Sequence, residues 1–207
     1  MEYGSAVTRQ ELLRLKRRLV EVRSGYKLLE QKRDSLIKTF MELKGTFLDR
    51  KERLHDRLKI IISTLEKSLA VNPLGLIDSL SLNTGSQSLI ETKSQSIMGV
   101  KTTTFTLKKF LPPEIDELSS PKSYFESVEN FTELIPELID ISSLEDALIK
   151  IALAIEKTRR RVNVLRDIII PEMEKQKRYI SLKLADQERE SFVFNLKFKQ
   201  KRARNAG

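Results

Sequence analysis

The residues with the most obvious chemistry are three clusters of basic side chains. They are Lys16-Arg17-Arg18, Arg159-Arg160-Arg161 and the sequence KFKQKRAR at 197–204. Such clusters neutralise phosphates, which favours a contact with nucleic acid or with an anionic membrane surface. Acidic residues are interleaved with them, however, and three successive arginines spread over several faces of a helix. Zinc-finger, RNA-recognition and basic-zipper signatures are missing, so nucleic-acid binding is the weaker interpretation.

The sequence contains no recognisable set of catalytic residues. The phosphate-binding pattern GxxxxGK[ST] is absent, as is a glycine-rich turn between a strand and a helix. With no Cys and a single histidine, His55, the chain lacks the ligands of a zinc site, and His55 is expected to have a packing or surface role. Carboxylates recur beside Lys or Arg at helical spacing, as they do on a solvated helix face. The sequence therefore predicts no catalytic residue, no cofactor and no metal.

The distribution of charge divides the 207 residues into three regions. Residues 1–70 carry 17 basic and 10 acidic side chains, residues 71–145 carry 5 and 11, and residues 146–207 carry 16 and 8. Two basic arms therefore enclose an acidic insert. A charged fraction of 32% and an aromatic fraction of 6% favour long solvated helices over a thick globular core. The composition predicts no membrane span and no secretory signal, and the absence of Cys favours a reducing compartment.

The first arm carries an apolar stripe with alternating steps of three and four residues, which predicts a coiled-coil seam. Its positions are Leu12, Leu15, Leu19, Val22, Tyr26, Leu29, Leu36, Phe40, Leu43, Phe47 and Leu54, followed after a change of phase by Leu58, Ile61, Leu65 and Leu69. Arg33 and Arg50 interrupt the seam. Either they fix its register, or their aliphatic stems pack while the guanidinium groups reach water.

The second arm supplies a matching stripe. Its positions are Leu144, Leu148, Ile151, Ile155, Thr158, Val162, Leu165 and Ile169, continued more loosely by Met173, Ile180 and Leu184. Two such arms separated by an insert favour an antiparallel intramolecular coiled coil with both chain termini at one end. Pairing positions whose numbers sum to about 212 places Arg33 near Tyr179 and Arg50 near Val162 and Asn163.

Proline and glycine predict the remaining features. Pro171 predicts a kink in a continuous helix, the alternative being a second helix that begins there. In the insert, β-branched residues predict short strands or one hairpin, in which Ser88–Thr92 would pair with Val100–Leu107. Pro121 is expected to begin a short helix through Leu134, with Ser119 and Ser120 as candidate caps. The expected fold is mostly α: a long antiparallel two-helix coiled coil (1–70 and 143–204, kinked near Pro171) with a small inserted head (71–142) containing a β-hairpin and a short helix.

Two stretches of the sequence resemble a known family, the D subunits of the A-type and V-type rotary ATPases. TRQELLRLKRRLVEVRSGYKLLEQKRDSLI (8–37) is similar to the family's N-terminal signature, and TRRRVNVLRDIIIPEME (158–174) to a motif of its C-terminal helix. The family-motif positions that we single out are Gly25, Lys32, Arg33, Asp34, Thr158, Arg160, Arg161, Asn163 and Pro171. Val164, Arg166 and Thr103 depart from the family pattern.

The resemblance implies a non-catalytic central rotor shaft of a V-type or A-type ATPase or ATP synthase. Such a shaft couples rotation of the membrane ring to ATP synthesis or hydrolysis and thus to hydrogen ion transport. The implied partners are the catalytic A and B subunits, the F subunit and the socket subunit (C/d) on the membrane ring, without nucleic acid. The implied location is cytoplasmic and peripheral, reaching the membrane only through the complex. The alternative is a stand-alone coiled-coil adaptor that binds nucleic acid or a helical partner.

The resemblance also suggests where the shaft meets the catalytic ring. The end that carries both termini is expected to enter the bore of the ring, where basic side chains would face acidic rims. The candidate contacts are Arg9, Arg14, Lys16, Lys197, Lys199, Lys201, Arg202 and Arg204.

Overall fold

The computed structural model of the protein describes residues 7–72, 87–111 and 121–205. In chain order its elements are α1 (Arg9–Val71), β1 (Gln87–Ile97), β2 (Val100–Leu111), α2 (Lys122–Val164), a π-helix (Leu165–Ile169) and α3 (Ile170–Asn205). The chain divides into two compact units, which we call the terminal unit (Met1–Asp34 with Glu156–Gly207) and the central unit (Ser35–Ile155). The predicted fold class, helical pairs with a small β-hairpin, is confirmed.

Helix α1 is bounded by side-chain caps at both ends. At its start, the Oγ1 of Thr8 accepts a hydrogen bond from the backbone N–H of Glu11 at 3.2 Å. This is the geometry of an N-cap, which satisfies one of the four N–H groups that lack a partner in the first turn. At its end, the backbone N–H and the side-chain Nδ2 of Asn72 both donate to the carbonyl of Ser68, at 3.1 and 2.9 Å. Asn72 precedes a proline, which disfavours continuation of the helix.

The terminal unit is built around a small apolar core between α1 and α3. Leu15 and Leu19 pack with Met173 and Ile180, all less than a tenth exposed. Val22 and Ile169 are among the partly buried residues that extend this cluster. Burial of this stripe is the main stabilising term for such a pair of helices, because either helix alone would leave it in water.

The central unit has a second core of the same kind, between α1 and α2. Leu54 and Ile61 pack against Leu134, which is completely buried. Leu58 and Leu138 are among the residues that border this cluster. Ion pairs flank it, since Arg57 reaches both Glu133 and Glu137 on α2.

Burial agrees with the two predicted seams. Every seam residue from Leu12 to Leu65 is buried or half-buried, and only Leu69 at the end of α1 is more exposed, at 38%. Every seam residue from Leu144 to Leu184 is likewise buried or half-buried. The antiparallel coiled coil is therefore confirmed within each unit. Arg9 pairs with Glu188 and Arg23 with Glu174 in one, and Arg50 pairs with Asp140 and Arg57 with Glu133 in the other.

The predicted register of the two arms is wrong. In the terminal unit, the residue numbers of two facing residues sum to 197 and not to 212, as for Arg9 with Glu188 and for Arg23 with Glu174. In the central unit Arg50 lies 3.9 Å from Asp140 and therefore not beside Val162 or Asn163. The same shift removes the expected pairing of Arg33 with Tyr179. The cause is the start of the second arm, which lies at Lys122 and not near residue 143.

The predicted short helix is the first part of α2. Backbone N–H groups of Tyr124 and Phe125 both donate to the carbonyl of Pro121, so the helix begins where predicted. It does not end near Leu134, because the helix continues through Pro136. The side chain of Pro136 is exposed, and the backbone hydrogen bond that proline cannot donate does not break the helix. The cap candidates Ser119 and Ser120 lie outside the described residues.

The chain remains helical through Pro171, but the hydrogen bonding changes just before it. In the segment Leu165–Ile169 the helix is of the π type, and the N–H of Ile170 donates to the carbonyl of Leu165, five residues back. Pro171 has no N–H, and its ring crowds the carbonyl four residues earlier in a regular α-helix. A wider turn relieves that crowding. The kink predicted at this proline remains a prediction.

The predicted hairpin is present with longer strands. Ile97 pairs with Val100 across a two-residue turn, in which Met98 (φ 52°) and Gly99 (φ 79°) both have positive φ, as a type I′ turn requires. Residues 90–92 pair with residues 105–107, inside the predicted range, whereas Ser88 and Leu89 pair with Phe110 and Lys109, beyond it. The register shifts between Leu89 and Ile90, so no residue of β1 lies opposite Lys108 in the strand pairing.

Candidate functional site

The last part of α3 extends past the beginning of α1. Because Arg9 in the first turn of α1 already faces Glu188, the residues that follow Glu188 have passed the start of that helix. Residues 189–201 are all exposed. This part of α3 is therefore available for contact with another chain.

Its side chains are unusually apolar for an exposed helix. Phe192 is 65% exposed, Phe194 69% and Phe198 52%, and Val193 and Leu196 are also exposed. The rings of Phe194 and Phe198 stack with centroids 6.4 Å apart, one helical turn from each other. At about 100° per residue, these five side chains point to most sides of the helix. A helix that is apolar on most sides is typical of one that is buried in an assembly.

The charges of this segment were predicted as contacts from the sequence, but its apolar side chains were not. The sequence SFVFNLKF (191–198) contains two four-residue spacings, Phe192 to Leu196 and Phe194 to Phe198, which lie on different sides of the helix, so it joins neither seam. Its signal is the presence of apolar residues on several sides of one helix, without the single stripe of an amphipathic helix. We call residues 192–198 the apolar segment.

The predicted ring contacts fall into groups. On α1, Arg9 pairs with Glu188, Arg14 lies 3.8 Å from Glu11, and Lys16 is exposed. On α3, Lys197, Lys199 and Lys201 are exposed within or beside the apolar segment. The side chains of Arg202 and Arg204 lie outside the described part of the chain. The α3 lysines therefore share a surface with the exposed phenylalanines, whereas Arg9 and Arg14 already have carboxylate partners.

The family-motif positions are mostly surface residues of the terminal unit. Lys32, Asp34 and Arg161 are exposed, Arg160 pairs with Glu156, and Asn163 and Pro171 are half-buried. Thr158 is buried at 8% exposure. The guanidinium of Arg33 is bonded to Asp34 at 2.7 Å and lies 3.7 Å from Glu30. At Gly25 and Gly45, an added Cβ would meet no atom within 4 Å, so neither glycine is required by packing inside the chain.

Four polar side chains form a cluster in and beside the π-helix. The hydroxyl of Tyr26 donates to the carboxylate of Glu30 at 3.0 Å, and this hydrogen bond raises the pKa of Tyr26. In the π-helix itself, the carboxylate of Asp167 accepts two hydrogen bonds from Arg166, at 2.8 and 3.2 Å. They lower the pKa of Asp167 and raise that of Arg166. The charge of Arg166 also acts on Tyr26, so these groups form one electrostatic cluster.

In the central unit, helix α2 holds strand β2 by three polar side chains. The carboxylate of Asp146 accepts the backbone N–H of Thr103 at 2.9 Å, and Ser143 accepts the N–H of Phe105 at 2.8 Å. Lys150 bonds both Asp146, at 2.6 Å, and the Oγ1 of Thr103, at 2.7 Å. The hydrogen bond from Lys150, then that from Thr103, lowers the pKa of Asp146. We call Ser143, Asp146 and Lys150 the hairpin clip.

Within residues 7–72, 87–111 and 121–205, no group of three or more His, Cys, Asp or Glu side chains could bind a metal ion. None of the helices in these parts of the chain combines the length and the apolar character needed to cross a membrane. His55 is exposed.

Comparison with known protein families matches residues 11–200 to the D subunit of ATP synthase. The chain belongs to the family of ATP synthase D subunits. The matched region includes both seams, the hairpin and the whole apolar segment.

Individual relatives support the same assignment. The chain is 34% identical to the A-type ATP synthase D subunit of Pyrococcus horikoshii, over 92% of this chain and 90% of the relative. It is 32% identical to the protein of the same name from Thermococcus kodakarensis, over 92% and 90%. With the A-type ATP synthase D subunit of Methanopyrus kandleri it shares 32% identity over 90% of this chain and 82% of the relative.

Proposed function

We propose that the chain is the central-stalk rotor subunit of an A-type or V-type ATP synthase or ATPase. The observation that carries this function is the family match, which extends from residue 11 to residue 200. In this role the protein couples rotation of a membrane ring to ATP synthesis or hydrolysis in a separate catalytic ring. The family assignment does not favour a stand-alone adaptor.

The architecture of each unit suits the transmission of torque. A single helix bends easily, whereas two antiparallel helices with a continuous buried seam resist bending and relative slip. The terminal unit has such a seam around Leu19 and Ile180, and the central unit has one around Ile61 and Leu134. Ion pairs beside each seam, such as Arg23 with Glu174, add specificity to the register more than stability, because both partners are partly exposed.

The protein itself performs no chemistry in this proposal. Nucleotide hydrolysis and synthesis belong to the catalytic A and B subunits, and the shaft changes which of their sites are open. An asymmetric shaft favours a different set of site conformations at each angle, so rotation and nucleotide affinity become linked. No cofactor is needed for that role.

The apolar segment is the proposed contact with the A and B subunits. Three exposed phenylalanines would be covered inside the ring, and Lys197, Lys199 and Lys201 would face its acidic groups. Exposed charge contacts of this kind are individually weak, which suits a shaft that turns inside a ring. A strong contact at one rotational angle would stop rotation at that angle. The F subunit and the socket subunit (C/d) are the proposed partners elsewhere on the chain, and the membrane is reached only through the complex.

Reconstitution tests this function directly. A complex prepared without this protein should show no ion pumping driven by ATP, and addition of the full chain should restore it. Restoration requires the A, B and F subunits to co-purify with the chain in one complex. If the chain instead bound polyanions in a salt-sensitive manner and failed to join that complex, the adaptor would be the better assignment.

A further inference from the structure

The two edges of the hairpin differ. The edge of β2 that faces away from β1 is covered by the hairpin clip, because the N–H groups of Thr103 and Phe105 donate to Asp146 and Ser143 on α2. Strand β1 pairs with β2 on one side. Among the described residues, no strand pairs with its other side.

The register identifies which groups of β1 point outward. In an antiparallel pair, facing residues either bond to each other or both direct their N–H and C=O groups away from the pair. Thr103 and Phe105 direct their N–H groups toward α2, so they belong to the second kind. Their facing residues are Ser94 and Thr92. The backbone groups of Thr92 and Ser94 therefore point away from β2, and their side chains are exposed.

This edge has little of the usual protection of an exposed strand. Proteins blunt free edges with lysines or other charges, proline or bulges, because an open edge pairs with other chains. Between Ile90 and Ile97 there is no proline, and the only register shift precedes Ile90. The sole cation on the strand is Lys93, which is exposed.

The charge of the hairpin selects the partner. Its 25 residues, Gln87–Leu111, contain four lysines and one glutamate, within an insert that is otherwise acidic. Lys93, Lys101, Lys108 and Lys109 are all exposed. A second copy of this hairpin would be repelled by these lysines, whereas an acidic strand would be attracted.

We propose that the outer edge of β1 accepts an extended acidic segment of another subunit of the rotary complex, which pairs with the backbone of Thr92 and Ser94 as a third strand. The inference relies on the proposed function only for the identity of the complex that supplies this segment. The hairpin would then be a docking element, fixed to α2 by one edge and to a partner by the other.

Hydrogen exchange tests whether the edge is filled. We expect the amides of Thr92 and Ser94 to exchange rapidly in the full-length chain alone and at least about 100-fold more slowly in the purified complex. The amides of Thr103 and Phe105 should be protected in both samples and serve as the control for a folded hairpin. Slow exchange at Thr92 and Ser94 in the isolated chain, or rapid exchange in the complex, would overturn the proposal.

A pair of substitutions at Ser94 tests the hydrogen bond itself. Ser94→Pro removes an N–H that points away from β2, so no bond of the hairpin is lost, whereas Ser94→Ala keeps that N–H. In titrations of the complex that lacks this protein, the proline variant should bind at least about threefold more weakly than the alanine variant. Protected amides at Thr103 and Phe105 verify that both variants fold. Equal affinity of the two variants would contradict strand addition.

The acidic character of the partner is tested at Lys93. Lys93→Glu should weaken assembly, and raising the salt concentration should reduce the difference from the unchanged chain. Unchanged assembly would exclude an acidic segment. These outcomes are separable from the proposed function: a chain that joins and couples the complex with an unfilled β1 edge contradicts only this inference.

Discussion

At the scale of single residues, the hairpin clip is the most specific arrangement in the central unit. Asp146 accepts hydrogen bonds from a backbone N–H and from an ammonium group, and both favour its ionised form. A carboxyl group whose pKa is lower in the folded chain stabilises the fold at pH values above its unfolded pKa, which is about 3.8 here. That contribution is lost as the pH falls through the lowered pKa.

We therefore expect Asp146→Asn to destabilise the hairpin at neutral pH, because the charge that holds Lys150 is removed while one acceptor for Thr103 remains. The amide of Thr103 should exchange faster than in the unchanged chain. The difference in stability between the two should be constant above about pH 5, should begin to shrink as the pH falls toward 3.8, and should disappear only below the lowered pKa of the folded chain. Urea unfolding and hydrogen exchange at several pH values measure both effects.

Glu145→Gln is the matched control, since Glu145 is the exposed neighbour of Asp146. It should change neither the exchange of Thr103 nor the pH dependence. If the free energy of unfolding of Asp146→Asn depended on pH in the same way as that of the unchanged chain, the charge of this carboxylate would contribute nothing to stability.

Some features of these residues could be predicted from the sequence and others could not. The sequence predicted a strand at Thr102 but not the burial of this side chain, which is 3% exposed and whose hydroxyl donates to the carbonyl of Gln95. The burial comes from packing of the hairpin on α2, a long-range contact that local pattern does not contain. For the two seam arginines, the structure favours packed stems with solvated head groups, because Arg33 is 24% exposed and Arg50 50%.

At the scale of elements, the π-helix and the irregular spacing of the second seam after Ile169 have the same explanation. A regular seam alternates steps of three and four residues, but Leu165, Ile169 and Met173 are separated by four and again by four. The additional residue would rotate Met173 and Ile180 away from α1 in a continuous α-helix. A π turn absorbs one residue, and both side chains are accordingly buried.

This explanation predicts the result of shortening the segment. Deletion of Ile170 in a Pro171→Ala background restores alternating steps of three and four and removes the ring that crowds an α turn. We expect this variant to form a regular helix with no loss of stability. Deletion of Lys177 in the same background should rotate Ile180 out of the seam and cost about 2 kcal/mol or more. Thermal unfolding followed by circular dichroism compares the two, and equal damage by both deletions would refute the explanation.

The elements show what the pattern of a sequence can and cannot determine. Heptad spacing predicted which faces of the helices are buried, because the period depends only on helix geometry. The register was wrong because it depends on where the second arm starts, and α2 begins at Lys122, well before the predicted position near residue 143. Pro136 and the mixed pattern ahead of residue 143 concealed that start, since helix propensity is a weak guide where tertiary packing decides.

At the scale of the whole molecule, the basic ends and the apolar segment concern assembly more than folding. Side chains of the apolar segment that are half exposed or more contribute little to the stability of the isolated chain. Their burial in an assembly would be favourable by an amount that depends on area. The sequence predicted a contact through basic side chains alone, whereas the structure adds Phe192, Phe194 and Phe198 to the candidate surface.

Replacing these three phenylalanines together by glutamine should separate the two properties. The melting temperature of the isolated chain should not change measurably, while its affinity for the complex that lacks this protein should fall at least about tenfold. Titration of that complex, followed by ATP hydrolysis coupled to ion transport, gives the measurement.

Neutralising Lys199, Lys201, Arg202 and Arg204 provides the comparison. This variant should also fold normally, and its main effect should be a weaker dependence of assembly on salt. If both variants assembled and coupled as the unchanged chain does, the end of α3 would not be a contact with the ring.

The open space at Gly45 has a practical consequence. A side chain added there meets no neighbouring atom, and the sequence contains no thiol of its own. Gly45→Cys would therefore give the protein one uniquely reactive attachment point on the outside of α1. A fluorophore or bead fixed at that point would allow the turning of a single assembled enzyme to be followed under a microscope.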